Sequence, residues 1–300
     1  MAADAQGLRV TGSDESAKAL DHAISDYFGW KGDPVGRLQD AVDQDPDFGL
    51  GSSAIASLFL LGGFRADHPR VATALSAAEH ASASASASAG AGATSRETRH
   101  LAAVKALAAG GLTHAVNIWE TILVDHPTDA LAMRFAHDAY VCLGQSLSIR
   151  DSIARVLPHW DPQGENYGYV LGQYAFGLEE AGELRRAEAF AHAAIARNAE
   201  DGWAIHARRL IDGVLAFAEG EYARAIELIL PVRYYAPRIG GSHAQRDLIT
   251  QTLIAAAERA GQLSLTRALL AERLAVRPTE RTRQHYERVG GAGNFSPNTN

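Results

Sequence analysis

GGLTHAVNIWETILVDHP, residues 110–127, is the stretch whose reading decides the fold. Gly110 opens it, an apolar residue follows two places on at Leu112, a small one three further at Ala115, and Pro127 closes it. Glycine ends a preceding helix because it takes φ > 0 without penalty. Ala115 marks where two helix backbones must come close, and proline stops the second helix because it lacks an N–H and clashes inside one. The same offsets recur along the chain. Gly29, Gly182, Gly220 and Gly261 are followed 17 residues later by Pro46, Ala199, Pro237 and Pro278, and Gly144 by Pro162 one residue late. From Gly110 onward the glycines lie 34, 38, 38 and 41 residues apart. A period of this size marks a helical-repeat array, in which each helix pair buries its apolar face only against its neighbours.

The other units carry the same side chains in phase. Leu184, Tyr222 and Leu263 stand where Leu112 does, and Ala187 and Ala225 where Ala115 does. Seven residues before the glycines come Ala103, Ala175 and Gly213, small residues at the first helix's own crossing point. Together these offsets resemble the tetratricopeptide repeat, which implies an all-α solenoid. About seven hairpins fit the period: 13–47, 48–80, 96–127, 128–162, 163–199, 201–237 and 242–278, with a short helix to 289. Alternating β-branched runs bounded by turn pairs are missing, so strands are not expected.

Composition sets further bounds. Hydrophobic residues make up 47% of the 300, enough for a continuous core. A net charge of −7 argues against a nucleic-acid surface, which needs a basic stripe. The arginines near the end (Arg267, Arg273, Arg277, Arg281, Arg283, Arg288) alternate with Glu272, Glu280 and Glu287 and read as an ion-paired, solvated face. A lone cysteine, Cys142, excludes an internal disulfide; flanked by Val141 and Leu143, it is expected to be buried and inert. MAADAQGLRV has no basic stretch leading into an apolar core, and no apolar run is long enough to span a membrane. A cytoplasmic protein with no membrane contact is the expectation. ASASASASAGAGATS, residues 81–95, reads by composition as a linker between hairpins at 1–80 and an array at 96–289. Thr94 with Glu97 forms a capping box that opens the next helix, and residues 290–300 read as a disordered tail.

Three segments are more distinctive than a generic repeat. They are HPTDALAMRFAHDAYVCLGQSLSIRDSIARVLPHW at 126–160, IGGSHAQRDLITQTLIAAAERAG at 239–261 and TRALLAERLAVRP at 266–278. With DYFGW at 26–30, they resemble the tetratricopeptide repeat protein 38 family, and the resemblance runs through 13–80, 96–206 and 208–289. The resemblance also implies a loss. After a W-A-x-H segment, here Trp203 to His206, the family continues through several His-rich repeats, whereas this chain passes at Arg208 into text like the family's last part. A single helix over about 201–219 would close the gap, because Gly182 and Gly220 stay one unit apart.

Candidate binding residues are few. His137 and Asp138, in FAHDAY, sit on a first-type helix that would line the concave face, where His with a carboxylate suits metal binding or proton transfer. Neighbours on a helix point about 100° apart, so one metal is not easily shared between them. A buried, hydrogen-bonded histidine accounts for the pair equally. Trp203 and His206 lie one turn apart and would make a pocket wall or a core aromatic beside a surface histidine. In GGSHAQRD, Ser242 with Gln245 is a capping box, which accounts for the segment better than a Ser–His nucleophile; His243, Arg246 and Asp247 remain as groove-facing polar groups. Arg150, Asp151 and Arg155 are expected to form an ion pair between repeats. Paired carboxylates, CxxC clips, Walker loops and G-x-S-x-G are missing, so no cofactor and no metal set is assigned. A scaffold binding a protein, peptide or small ligand in its groove is the first expectation. A His/Asp enzyme or metal protein, and a shortened relative without activity, are the alternatives. With three lysines in the chain and no carboxylate-clamp ladder, binding of chaperone tails is not supported.

Overall fold

The structure, a computed structural model, describes residues 2–87, 93–198, 202–231, 233, 243–276 and 278–290; the side chains of 86–87, 202–208, 211 and 243–246 lie outside that description. Fifteen α-helices account for most of the described residues. They run α1 Asp14–Phe28, α2 Pro34–Gln44, α3 Gly49–Leu61, α4 Pro69–Ala87, α5 Ser95–Ala108, α6 Leu112–Asp125, α7 Ala130–Leu143 and α8 Ser146–Val156. The rest are α9 Tyr167–Glu180, α10 Leu184–Arg197, α11 Gly202–Ala218, α12 Tyr222–Ile229, α13 His243–Arg259, α14 Leu263–Val276 and α15 Glu280–Arg288. Each packs on the helix that follows it, and α3 also lies on α5, α9 on α11, and α11 on α13.

Local chemistry sets the ends of these helices. Gly110, Gly144, Gly182, Gly220 and Gly261 all adopt left-handed φ, between 66° and 84°, between the two helices of a hairpin. Pro46, Pro127 and Pro278 follow the ends of α2, α6 and α14; Pro237 lies outside the described residues. The Thr94–Glu97 capping box is formed, with each side chain bonded to the other residue's backbone N–H. The small residues stand where helices cross. Ala103, Ala115, Ala175, Ala187 and Ala225 have no exposed surface, and a Cβ on Gly213 would come within 2.5 Å of Ile229. Such contacts fill the interior to native density only if the residue stays small.

Ion pairs link successive hairpins. Arg155 of α8 reaches Glu120 of α6, 35 residues back. Arg150 reaches Glu183 across 33 residues at 2.6 Å, and Arg185 reaches Glu219 across 34 at 2.9 Å. Arg150 also holds Asp151 at 2.7 Å. The apolar interior is mostly one cluster from Val10 to Ala191 and a second from Leu210 to Leu270, with two small ones at Ile149 with Phe176 and Leu171 with Ala194.

Four expectations need correction. Gly29 is right-handed, and its neighbour Trp30 takes the left-handed turn at φ 52°. Gly29 is needed for space instead, since a Cβ there would lie 2.9 Å from the Tyr169 hydroxyl. The Ala/Ser tract is not wholly a linker: α4 runs through it to Ala87. Alternation with period two repeats every four residues, so Ala81 and Ala85 fall on one helical face with Ala74 and Ala78, and all four are buried. That face meets Gly49 of α3, whose added Cβ would stand 3.0 Å from the Ala81 Cβ. A short antiparallel pair, β1 Ala2–Ala3 with β2 Arg9–Val10, exists where no strand was expected, too brief for any alternation to register. Cys142 is exposed, because α7 leaves the interior after Ala139; partial burial and the nearby Asp138 charge push its thiol pKa up.

Candidate functional site

The FAHDAY segment lies on α7, which is buried from Ala130 through His137 and again at Ala139, with Asp138 half-buried between them. Its covering comes from α1, 111 residues earlier in the chain. The last turn of α1 lies on α7 and α9, with Tyr27 6.0 Å from the Phe135 ring and Phe28 5.9 Å from the Tyr169 ring. The Tyr27 hydroxyl donates to Asp138 Oδ2, and Arg134 Nε donates to the same oxygen at 3.0 Å. The Arg134 guanidinium, 1% exposed, lies 4.5 Å from the Tyr27 ring centre and 5.5 Å from that of Trp30. A desolvated guanidinium over aromatic rings is held by their quadrupoles as well as by its carboxylate. Asp138 is thus engaged from within the molecule.

His137 points elsewhere. It is 1% exposed, and its ring lies 5.6 Å from that of Phe176 on α9. Burial pushes its pKa down to about 3, the Asp138 charge opposing this and Arg134 adding to it. The imidazole is neutral at pH 7 and sealed from water, which withholds it from proton exchange with a solvent-borne substrate. Burial, together with the Asp138 charge, raises the Tyr27 hydroxyl well above its ordinary range. His137 and Asp138 sit side by side in sequence and face different neighbours.

The remaining candidates are scattered. Asp247 opens α13 and is gripped by Arg273 of α14 through Nε at 2.7 Å and Nη2 at 2.9 Å. Trp203 and His206 lie in the first turns of α11, His243 and Arg246 in the first turn of α13; their side chains, and the Ser242–Gln245 box, fall outside the described residues. Two polar groupings were not foreseen. One is a buried network in which Arg96 binds Asp4 at 2.9 Å while Asp129 lies 3.5 Å from Arg96 and 3.1 Å from His100. Burial would raise the Asp129 carboxyl, but the His100 and Arg96 charges hold it well below the usual carboxylate range. The other is an open cleft of about 920 Å³ between α1, α2 and the end of α4, bordered by Glu15, Asp40, Asp45, Asp47 and Ser84. Burial opposes ionisation of Asp45, yet hydrogen bonds from Ser16 Oγ at 2.6 Å and Ser13 N at 2.8 Å keep its pKa low. Arg37, the basic group on this wall, is paired with Asp26 at 3.0 Å. Among the described residues no helix is long and apolar enough to cross a membrane. Compared with models of known protein families, the chain matches none.

Proposed function

We propose that this chain is a tetratricopeptide-type repeat scaffold whose task is to bind a partner, and that the partner's contacting segment is cationic. The observation that carries the scaffold reading is the row of left-handed glycines at Gly110, Gly144, Gly182, Gly220 and Gly261, each closing the first helix of a hairpin. Contacts between alternate helices and ion pairs between successive hairpins support it. The place of binding is argued from what is open. Over α7 and α9 the chain supplies its own cover in Tyr27 and Phe28, whereas the cleft beside α1, α2 and α4 is open and edged by carboxylates. Clefts of one sign concentrate ligands of the other. The engagement of Asp138 by Tyr27 and Arg134 favours binding over His/Asp catalysis. The chain reads as a shortened relative of the tetratricopeptide repeat protein 38 family, and the unbroken α11 across the expected junction supports that reading.

Fluorescence anisotropy with labelled Lys/Arg-rich and Asp/Glu-rich peptides of equal length tests the proposal. Basic peptides should bind and acidic ones should not, with affinity falling as salt rises. Asp40→Lys with Asp47→Lys should abolish the preference, at little expense in stability since both side chains are exposed. Equal affinity for both peptide classes would end the cationic-partner reading.

A further inference from the structure

The seam between the two apolar clusters lies at α10 and α11, and it carries three metal-ligating side chains. Arg185, at the start of α10, reaches Glu219, just past the end of α11, so the two helices run antiparallel in fixed register. Glu188 and His192 stand one turn apart on α10, and Asp212 of α11 faces them across the joint. A carboxylate oxygen of Glu188, a ring nitrogen of His192 and a carboxylate oxygen of Asp212 all lie within 4.8 Å of one another. Glu188 and Asp212 are half-buried and His192 is exposed.

We infer that Glu188, His192 and Asp212 form a binding site for a divalent transition-metal ion of the Zn²⁺ class, which clips α10 to α11. The donors select the ion. Calcium takes six to eight oxygens, and soft ions such as Cu(I) take sulfur, while Zn²⁺ accepts imidazole nitrogen and carboxylate oxygen together. Bonds of about 2.0–2.2 Å place donors about 3.4 Å apart in a tetrahedral shell. Rotation of the exposed His192 ring and small turns of the two carboxylates close the remaining gap. Water fills the fourth position. Neither the repeat reading nor the cationic partner is needed for this site, since it rests on one helix pair.

The experiment uses the untagged full-length chain, stripped with chelator and titrated with ZnCl₂ by calorimetry, beside thermal unfolding with and without the ion. A single ion should bind saturably and raise the unfolding midpoint, as any ligand of the native state does. His192→Ala and Asp212→Asn should each weaken binding at least about tenfold, since loss of even an outer-shell partner costs on the order of 10–100-fold. Both should abolish the midpoint shift. Glu188→Gln, nearly isosteric, supplies a third test if either variant loses its helical circular dichroism. Absence of saturable binding, or binding that survives these substitutions through the chain's other histidines, would overturn the site. Loss in His192→Ala with Asp212→Asn unaffected would overturn the three-ligand assignment.

Discussion

Trp30 holds a left-handed backbone that a bulky L-residue adopts only under constraint, at about 1–2 kcal/mol. Beside it Gly29 must stay small against Tyr169, and in this turn the Trp30 indole lies by Arg134. Comparing Trp30→Gly with Trp30→Ala separates these effects. Both variants lose the ring contact with Arg134, but only glycine relieves the backbone. Urea unfolding should place Trp30→Gly above Trp30→Ala by about 1 kcal/mol. Equal stabilities would mean that the turn carries no strain. At this scale the sequence was half legible. His137 and Asp138 stand out in FAHDAY, and the spacing of Arg134 to Asp138 offers an ion pair one turn apart. Tyr27 could not be read, because it lies 111 residues from the carboxylate it binds, and only the docking of α1 brings them together.

Among the elements, α4 departs furthest from its composition. Ala and Ser in alternation carry no hydrophobic stripe of the usual kind, yet the repeat of two divides the helical step of four, and small methyls suffice against Gly49. The buried and exposed alanines of this tract should therefore respond differently to added bulk. Ala81→Leu should cost about 1–3 kcal/mol by overpacking the α3–α4 contact. Ala83→Leu, on the exposed side, should stay within about 0.5 kcal/mol. Equal losses by chemical denaturation would mean that α4 does not press on α3. The hairpins themselves were legible because glycine and proline act on their own backbone, with no distant partner needed. The Ala/Ser tract, the β1–β2 pair and the open cleft were not, since each takes its meaning from what it packs against.

At the scale of the whole molecule, apolar contacts run mostly to neighbouring helices, and the two clusters meet across α10 and α11. Where helices contact mainly their neighbours, stability is approximately a sum over units and their interfaces, so the halves need not unfold together. Leu253, fully buried in the second cluster, should cost about 2–5 kcal/mol when cut to alanine. That loss should move the far-UV circular dichroism transition of the second half, while in a Trp203→Phe background the remaining tryptophan fluorescence, with Trp119 and Trp160 in the first cluster, keeps its midpoint. Superimposable shifts in both signals would mean one cooperative body. The ladder of Arg155–Glu120, Arg150–Glu183 and Arg185–Glu219 has a consequence for inheritance. The bridges do not all run one way: the α7–α8 hairpin gives Arg155 to the hairpin before it and Arg150 to the hairpin after it, while α10 gives Arg185 onward. Deleting α7 and α8 in frame would take away both arginines and bring the Glu120 side against the Glu183 side, carboxylate to carboxylate. Loss of this hairpin between generations would therefore leave a joint that its neighbours cannot close by charge.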